Sequence, residues 1–429
     1  MRIWSCLRAL SVSAAARKRK GRGAHHHSAE ELLRALRFAR IPKNSAVLII
    51  LVPLLSIFLE AQERWKIQFF YDKQDSSLDI QDIQCPSAER CVAAGVIVLK
   101  DGRQKGAVVS TNDGGLHWTI ADVKENPLSL FFLNDSLGWM VTEHGIWTSD
   151  AGGTAWKKME GLKGIVGVHF LDPSRGYAIG SPGAIYETAD GGKKWTKLPA
   201  ANVPSIDPKR TLYKCIAFRG QHGLVIGEVS PEDTEPFPNL TPSSIRRERK
   251  STVVSLETFD AGKSWSSRAV PFFGAITRVS LTKEGSPVFL AEYPPYYSSA
   301  SSVILGPLGS SDQQTIFAEK SSAVTGLALL PDGGAVLAAI EPPGNSNQIP
   351  IPGKLKILES SDLKTWQEMD VDYRAVAQRA VVAAVDARHK WVATDTGMIL
   401  GLVDGRAAHF RQKQKTGLTS RVLSTPSPQ

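Results

Sequence analysis

Glu292 and Tyr293, followed by Tyr296 and Tyr297, set a carboxylate beside several phenols. A phenolate nucleophile in glycoside hydrolysis needs such a neighbouring base. The competing reading is an aromatic, proline-rich loop packed on the rim of the fold. Arg246, Arg247 and Arg249, with Lys250, close a segment from Val229 to Lys250 that is acidic in its first half and basic in its second. Guanidinium forks suit a carboxylate or an acidic peptide on a protein partner, and a solvated charge run is the alternative. Nine histidines form no metal-spaced cluster, and the sequence contains no HExxH, CxxC, P-loop or GxSxG pattern. Neither a metal nor a cofactor is expected.

A third set of carboxylates is repeated. Thr111-Asn-Asp113-Gly-Gly115-Leu-His-Trp118, Thr188-Ala-Asp190-Gly-Gly192-Lys-Lys-Trp195 and Thr258-Phe-Asp260-Ala-Gly262-Lys-Ser-Trp265 share one pattern. A looser copy, Thr148-Ser-Asp150-Ala-Gly152-Gly-Thr-Ala-Trp156, reads with one extra residue between Gly and Trp, and Ser360-Ser-Asp362-Leu-Lys-Thr-Trp366 is one residue short. The pattern describes a turn between two strands. The Asp accepts bonds from turn amides, the Gly supplies a positive φ, and the hydroxyl adds a local bond. The Trp ring then folds into the sheet core. Each Asp has its own amides to satisfy, so these carboxylates are read as structural, with no catalytic residue among them.

The elements that carry the turns follow from a second motif: Phe132-x5-Gly138-Trp-Met-Val, Phe170-x5-Gly176-Tyr-Ala-Ile and Phe218-x4-Gly223-Leu-Val-Ile. These are strand, tight turn, strand signatures. Asp113, Asp150 and Asp190 lie 37 and 40 residues apart, near the repeat length of a four-stranded propeller blade. The expected fold is all-β, a seven-bladed β-propeller, with six or eight blades as alternatives. Blades are placed near 66–120, 121–157, 158–198, 205–266, 270–318, 322–368 and 375–411, with Ser310-Ser-Asp312 as a degenerate turn. Alignment of the first repeat puts Cys85 where Phe132 and Phe170 sit, and Cys91 where Gly138 and Gly176 sit. Two cysteines flanking one turn imply either a disulfide or two buried thiols.

The net charge of +9 suggests a nucleic-acid or anionic partner until the charges are located. Residues 1–60 hold eleven Lys/Arg against three Glu, which leaves the other 369 residues at +1. Basicity is a property of the leader, and no nucleic-acid partner is expected. Ala46 to Leu59 is an uncharged apolar run behind Arg34, Arg37, Arg40 and Lys43. It has the anatomy of a secretory signal, too short for a comfortable span of a hydrocarbon core about 30 Å thick. The organisation expected is a basic, unstructured leader over 1–45, a signal or membrane-anchor segment over 46–61, a propeller over 62–415 and an unstructured tail over 416–429. Export follows, to the periplasm or the extracellular space. Cleavage near Ala61 and retention as a membrane anchor are the alternatives for the apolar run.

The Asp turns resemble the Asp-box, or BNR, repeats of sialidase-like propellers. With Cys85 to Gly95 (CPSAERCVAAG) and Gly176 to Trp195 (GYAIGSPGAIYETADGGKKW), the chain looks most like the photosystem II stability/assembly factor-like family, over about residues 66–411. The resemblance implies a seven-bladed propeller outside the cytoplasmic membrane and a non-enzymatic role in assembly, binding a protein partner, a nascent membrane-protein segment or an acidic peptide. It also implies that the Asp turns lie away from a functional face. The alternative is a secreted sialidase-like glycoside hydrolase. The Arg-Ile-Pro signature of sialidases should open the first blade, but Arg40-Ile41-Pro42 stands ahead of the apolar run.

Overall fold

The second strand of each repeat is apolar along its length, as in Cys91–Leu99, Gly138–Thr142, Gly176–Gly180 and Ala335–Ile340, and nearly all of these residues are buried. A strand covered on both sides must lie between two other layers. Here the layers are neighbouring sheets. The computed structural model describes residues 63–403 apart from 160, 202, 204–205, 231–250, 294–299, 343–344, 347–348 and 351. The leader, the apolar run and the tail therefore lie outside the described residues.

In blade 1 the strands Ser76–Gln84, Cys91–Leu99, Gln104–Thr111 and Thr119–Val123 form an antiparallel meander. The same strand order recurs in blades 2 to 6, over residues 127–158, 165–197, 211–272, 275–318 and 323–368. Blade 7 takes Ala380–Ala384, Lys390–Thr394 and Met398–Val403 from the end of the body, and its outer strand from the beginning. Arg64–Phe70 pairs antiparallel with Met398–Val403, with Trp65 opposite Leu402. The described residues thus form an all-β, seven-bladed propeller. This corrects the start of the first blade, which the repeat spacing put near residue 66. The N-terminal strand supplies the outer edge of blade 7.

That closure has its own buried chemistry. Trp65 is fully buried, and its Nε1 donates to Glu359 Oε1 at 3.2 Å. The other Glu359 oxygen accepts Lys390 Nζ at 2.5 Å, and Lys390 is only 2% exposed. One carboxylate therefore ties blade 6, blade 7 and the N-terminal strand together.

The meander also defines two faces. Turns from first to second strand and from third to fourth lie on one face, which carries the Asp turns. Turns from second to third strand lie on the other. On that opposite face the connections in blades 4, 5 and 6 are long, running from Val229 to Ser251, Glu292 to Ser301 and Ile340 to Gly353. Blade 2 needs only the step from Thr142 to Gly145. The chain enters and leaves on the Asp-turn face, where Arg64 pairs with Val403, so the opposite face carries neither chain end of the described body. The first strands of all seven blades surround a central channel of about 470 Å³.

Ring closure makes Trp65 a sensitive position. Trp65→Ala should cost about 3–5 kcal/mol and lower the thermal midpoint in a single cooperative transition followed by circular dichroism. An unchanged midpoint would show that the N-terminal strand does not seal the ring.

Candidate functional site

The Asp turns are held from within. Thr111 Oγ1 accepts the Gly115 amide at 3.0 Å and donates to Asp113 Oδ1 at 2.8 Å, and that oxygen accepts the His117 amide at 2.9 Å. Thr188 and Thr258 repeat the arrangement with Asp190 and Gly192, and with Asp260 and Gly262. In the shortened copy Asp362 accepts the Lys364 and Thr365 amides at 2.8 Å each. Trp156 and Trp265 fold back so that each Nε1 donates to the carbonyl of its turn glycine, Gly153 or Gly262. Trp366 instead reaches Ile316 O at 3.0 Å. Trp195 packs edge-on against Phe170, and Trp118 tilts against Phe69.

Blade 2 departs from the sequence reading. Ser149, not Thr148, takes the hydroxyl position, accepting the Gly153 amide at 2.9 Å and the Ala151 amide at 3.2 Å. Ala151 therefore occupies the carboxylate position, and exposed Asp150 stands one residue before it and makes none of the turn's bonds. The spacing from Ser149 to Trp156 is then the ordinary one. The adjacent Thr148-Ser149 pair misaligned the motif by one residue, because either hydroxyl fits the pattern on paper.

Each turn also presses on the blade before it. A Cβ on Gly262, at φ +85°, would collide with the Tyr177 hydroxyl of blade 3, and one on Gly115, at φ +84°, would meet Gln68 and Trp391 of blade 7. Arginines complete two of these seams. Arg175 donates to Ala261 O at 2.7 Å, and Arg90 donates to Gly152 O at 3.2 Å. Arg90 stands in the turn that Cys85 and Cys91 close as a disulfide. Cys215 is a free, buried thiol.

The channel wall is chemically uneven. Asp82 in blade 1 accepts the Ile83 amide at 2.9 Å and, across the seam, the Leu130 amide at 2.8 Å. Burial pushes its carboxyl up, opposed by the Arg278 charge and these amides. In blade 4 Lys214 pairs with Glu228. Arg278 in blade 5 has no ion-pair partner among the described residues, and its one hydrogen bond is a 3.5 Å contact to the carbonyl of Thr277. The buried Thr277 hydroxyl has no hydrogen-bond partner either, and both residues line the channel. A guanidinium in a cavity wall with no ion pair among the described residues is a setting for a carboxylate. At the Asp-turn end His169 lies between Phe131, 4.5 Å away by ring centroids, and Phe218, 5.2 Å away. Burial lowers the imidazole to about 4, so it is a neutral ring at ordinary pH.

The residues singled out from the sequence are distributed differently. Arg246, Arg247, Arg249 and Tyr296 lie outside the described residues. Glu292 ends a strand paired with Ala275 and Ser301, and the adjacent Tyr293 exchanges a 2.7 Å hydrogen bond with Ser302. Both sit at the root of the blade 5 connection on the long-connection face. No group of three or more His, Cys, Asp or Glu side chains among the described residues is placed to hold a metal. Arg278, Thr277 and His169 escaped sequence reasoning. Their only signal is polarity within a first strand, and its meaning depends on ring closure.

Residues 158–231, which are blade 3 and the first half of blade 4, match the family model described as photosynthesis system II assembly factor YCF48. The chain is similar to those assembly-factor propellers. A solved structure titled "YCF48 bound to D1 peptide" aligns at 16% identity and TM-score 0.52, over 78% of this chain and 95% of that one. YCF48 from Cyanidioschyzon merolae aligns at 16% identity and TM-score 0.51, over 78% of this chain and 97% of that one. At this identity the two establish the fold. An ancestral GH74 enzyme aligns at 12% identity and TM-score 0.43, over 77% of this chain and 36% of that one, too distant to bear on activity. No curated protein matches the chain. The segment matched by the family model includes the Asp turn from Thr188 to Trp195.

Two measurements test the turn assignments. Ala151→Asp should restore the missing acceptor and raise stability by about 0.5–1.5 kcal/mol, whereas Asp150→Ala should leave the melting curve within experimental error. Acid provides the second test. Amide and hydroxyl donors, the His117 amide foremost, hold Asp113 near about 2 against 3.8 for the free group. The Lys194 amide, the Ser264 hydroxyl and the Thr365 amide lower Asp190, Asp260 and Asp362. A folded-state value below the unfolded one adds stability that is complete above about pH 4 and lost as the pH falls toward about 2. The thermal midpoint should drop across that window, and less steeply in Asp113→Asn.

Proposed function

We propose that the chain is an exported, non-enzymatic scaffold that binds a protein partner by drawing an acidic segment of it into the central channel. Arg278 carries the reading: a guanidinium without an ion pair among the described residues, in the wall of an open cavity. The propeller titled as bound to a D1 peptide supports a peptide as the kind of ligand such a ring can hold. Export rests on the basic, apolar leader at 34–59. The Arg246, Arg247 and Arg249 cluster, which lies outside the described residues, is read as a second contact for an acidic partner from its sequence alone.

The test is binding of labelled acidic peptides, with Arg278→Met as the variant. A hydrogen bond to a charged group contributes about 1.5–3 kcal/mol, so affinity should fall by about 10- to 100-fold with the melting curve unchanged. Equal affinity in wild type and variant would remove Arg278 from the site. Turnover of a sialoside that is lost in Tyr293→Phe would replace this reading with the hydrolase.

A further inference from the structure

The channel changes character along its length, and the change is built from residues in register. In blade 3 Phe170 pairs with Gly176 and Gly167 with Ile179, and in blade 5 Leu281 pairs with Pro287 and Arg278 with Leu290. Arg278 and Gly167 therefore occupy the same level. His169 lies two residues nearer the Asp-turn face, about 6.6 Å further along at 3.3 Å per strand residue. At that level Phe131 and His169 lie side by side, and Phe218, one residue nearer the Asp-turn face in blade 4, closes on His169 from the other side, so that three successive blades contribute rings to one arc. All three rings are only partly buried, and all three line the cavity. The rest of the lining at this end mixes small side chains, Ala217 and Ser280, with Leu281, Leu329 and Arg219. Blades 2, 3 and 4 thus supply the ring surface, and blades 5 and 6 extend it with aliphatic side chains.

We propose that this arc is an apolar subsite for an aromatic or branched aliphatic side chain, two residues along an extended peptide from the carboxylate held at Arg278. The inference rests on the peptide-binding reading and deepens it by naming the motif: an acidic residue and a large apolar residue at positions i and i+2, in either chain direction. An extended peptide covers about 6.6 Å in two residues, the same step as the one from the Arg278 level to the His169 level. A second intervening residue, a spacing of three, would turn the apolar side chain away from the arc. The neutral imidazole belongs with the rings and not with the cations, since the guanidinium proposed to take the carboxylate is that of Arg278.

The experiment is fluorescence anisotropy with the full chain and labelled, end-blocked nonapeptides carrying one Asp and one Phe in a Gly/Ser background. The pair is set two residues apart in both orders, and control peptides have Phe→Ala, Asp→Asn or a spacing of three. On the wild type, Phe→Ala and the altered spacing should each weaken binding about tenfold. On Phe131→Ala, checked for an unchanged melting curve, Phe→Ala in the peptide should make little further difference, while Asp→Asn should still weaken binding. The peptide controls carry the test even where the protein variant folds poorly. Asp-dependent binding that ignores Phe or its spacing would overturn the subsite and leave the channel reading standing. Absence of binding by every peptide would overturn both.

Discussion

The interaction on which the ring depends is the buried hydroxyl at the head of each Asp turn, more than the carboxylate that gives the motif its name. Thr111, Ser149, Thr188 and Thr258 each accept the amide of the residue four positions on, at 2.8–3.0 Å. All four are buried, where an unmet amide would be costly. The bond fixes a glycine at positive φ against the second strand of the preceding blade, and that contact sets how closely two sheets approach. Blade 2 shows which partner is dispensable: with Ala151 in the carboxylate position, Ser149 still closes the turn.

Seams between blades share this plan and differ in what reinforces it. Blades 2 and 3 stack Trp139 on Phe170 at 3.6 Å, and blades 3 and 4 stack Tyr177 on Phe218 at 5.3 Å. Arg90 and Arg175 add charged donors to turn carbonyls on either side of that stack. At the seam between blades 7 and 1, Arg379 reaches Gln81 O, Ile80 O and the Gln81 and Asp79 side chains. The covalent gap lies inside blade 7, between Arg64–Phe70 and Met398–Val403, and the antiparallel ladder between them closes it. Polar groups reinforce that blade on both sides, Arg379 toward blade 1 and the Trp65, Glu359 and Lys390 group toward blade 6.

Blade number and strand order were legible because they rest on local signals: a turn needs its hydroxyl and glycine, and a doubly covered strand needs an apolar run. Two things were not. The register of the blade 2 turn was ambiguous, since Thr148 and Ser149 both offer a hydroxyl and only the strand pairing of Trp147 and Thr148 with Lys158 and Lys157 decides between them. The role of Arg64–Phe70 was hidden because its partner, Met398–Val403, stands more than 300 residues away in sequence. The channel residues failed for the same reason. Arg278 reads as an ordinary polar residue of an edge strand until seven edges face one another.

The cations that line the channel are gathered on two neighbouring blades of a body near neutrality. Lys214, Arg219 and Arg278 all come from the first strands of blades 4 and 5, while the same strand of blade 1 contributes Asp79 and Asp82. Glu228 answers Lys214, and Arg379 answers Asp79 at 3.4 Å. The Asp82 carboxyl feels the Arg278 charge, yet it makes no direct ion pair with it, being held by the Ile83 and Leu130 amides, one of which fixes the seam to blade 2. Moving that carboxylate across the channel would leave a backbone amide unmet in the wall. The structural duty of Asp82 thus separates it from Arg278, and a cavity lined by unequal charges focuses the field that an approaching anion meets.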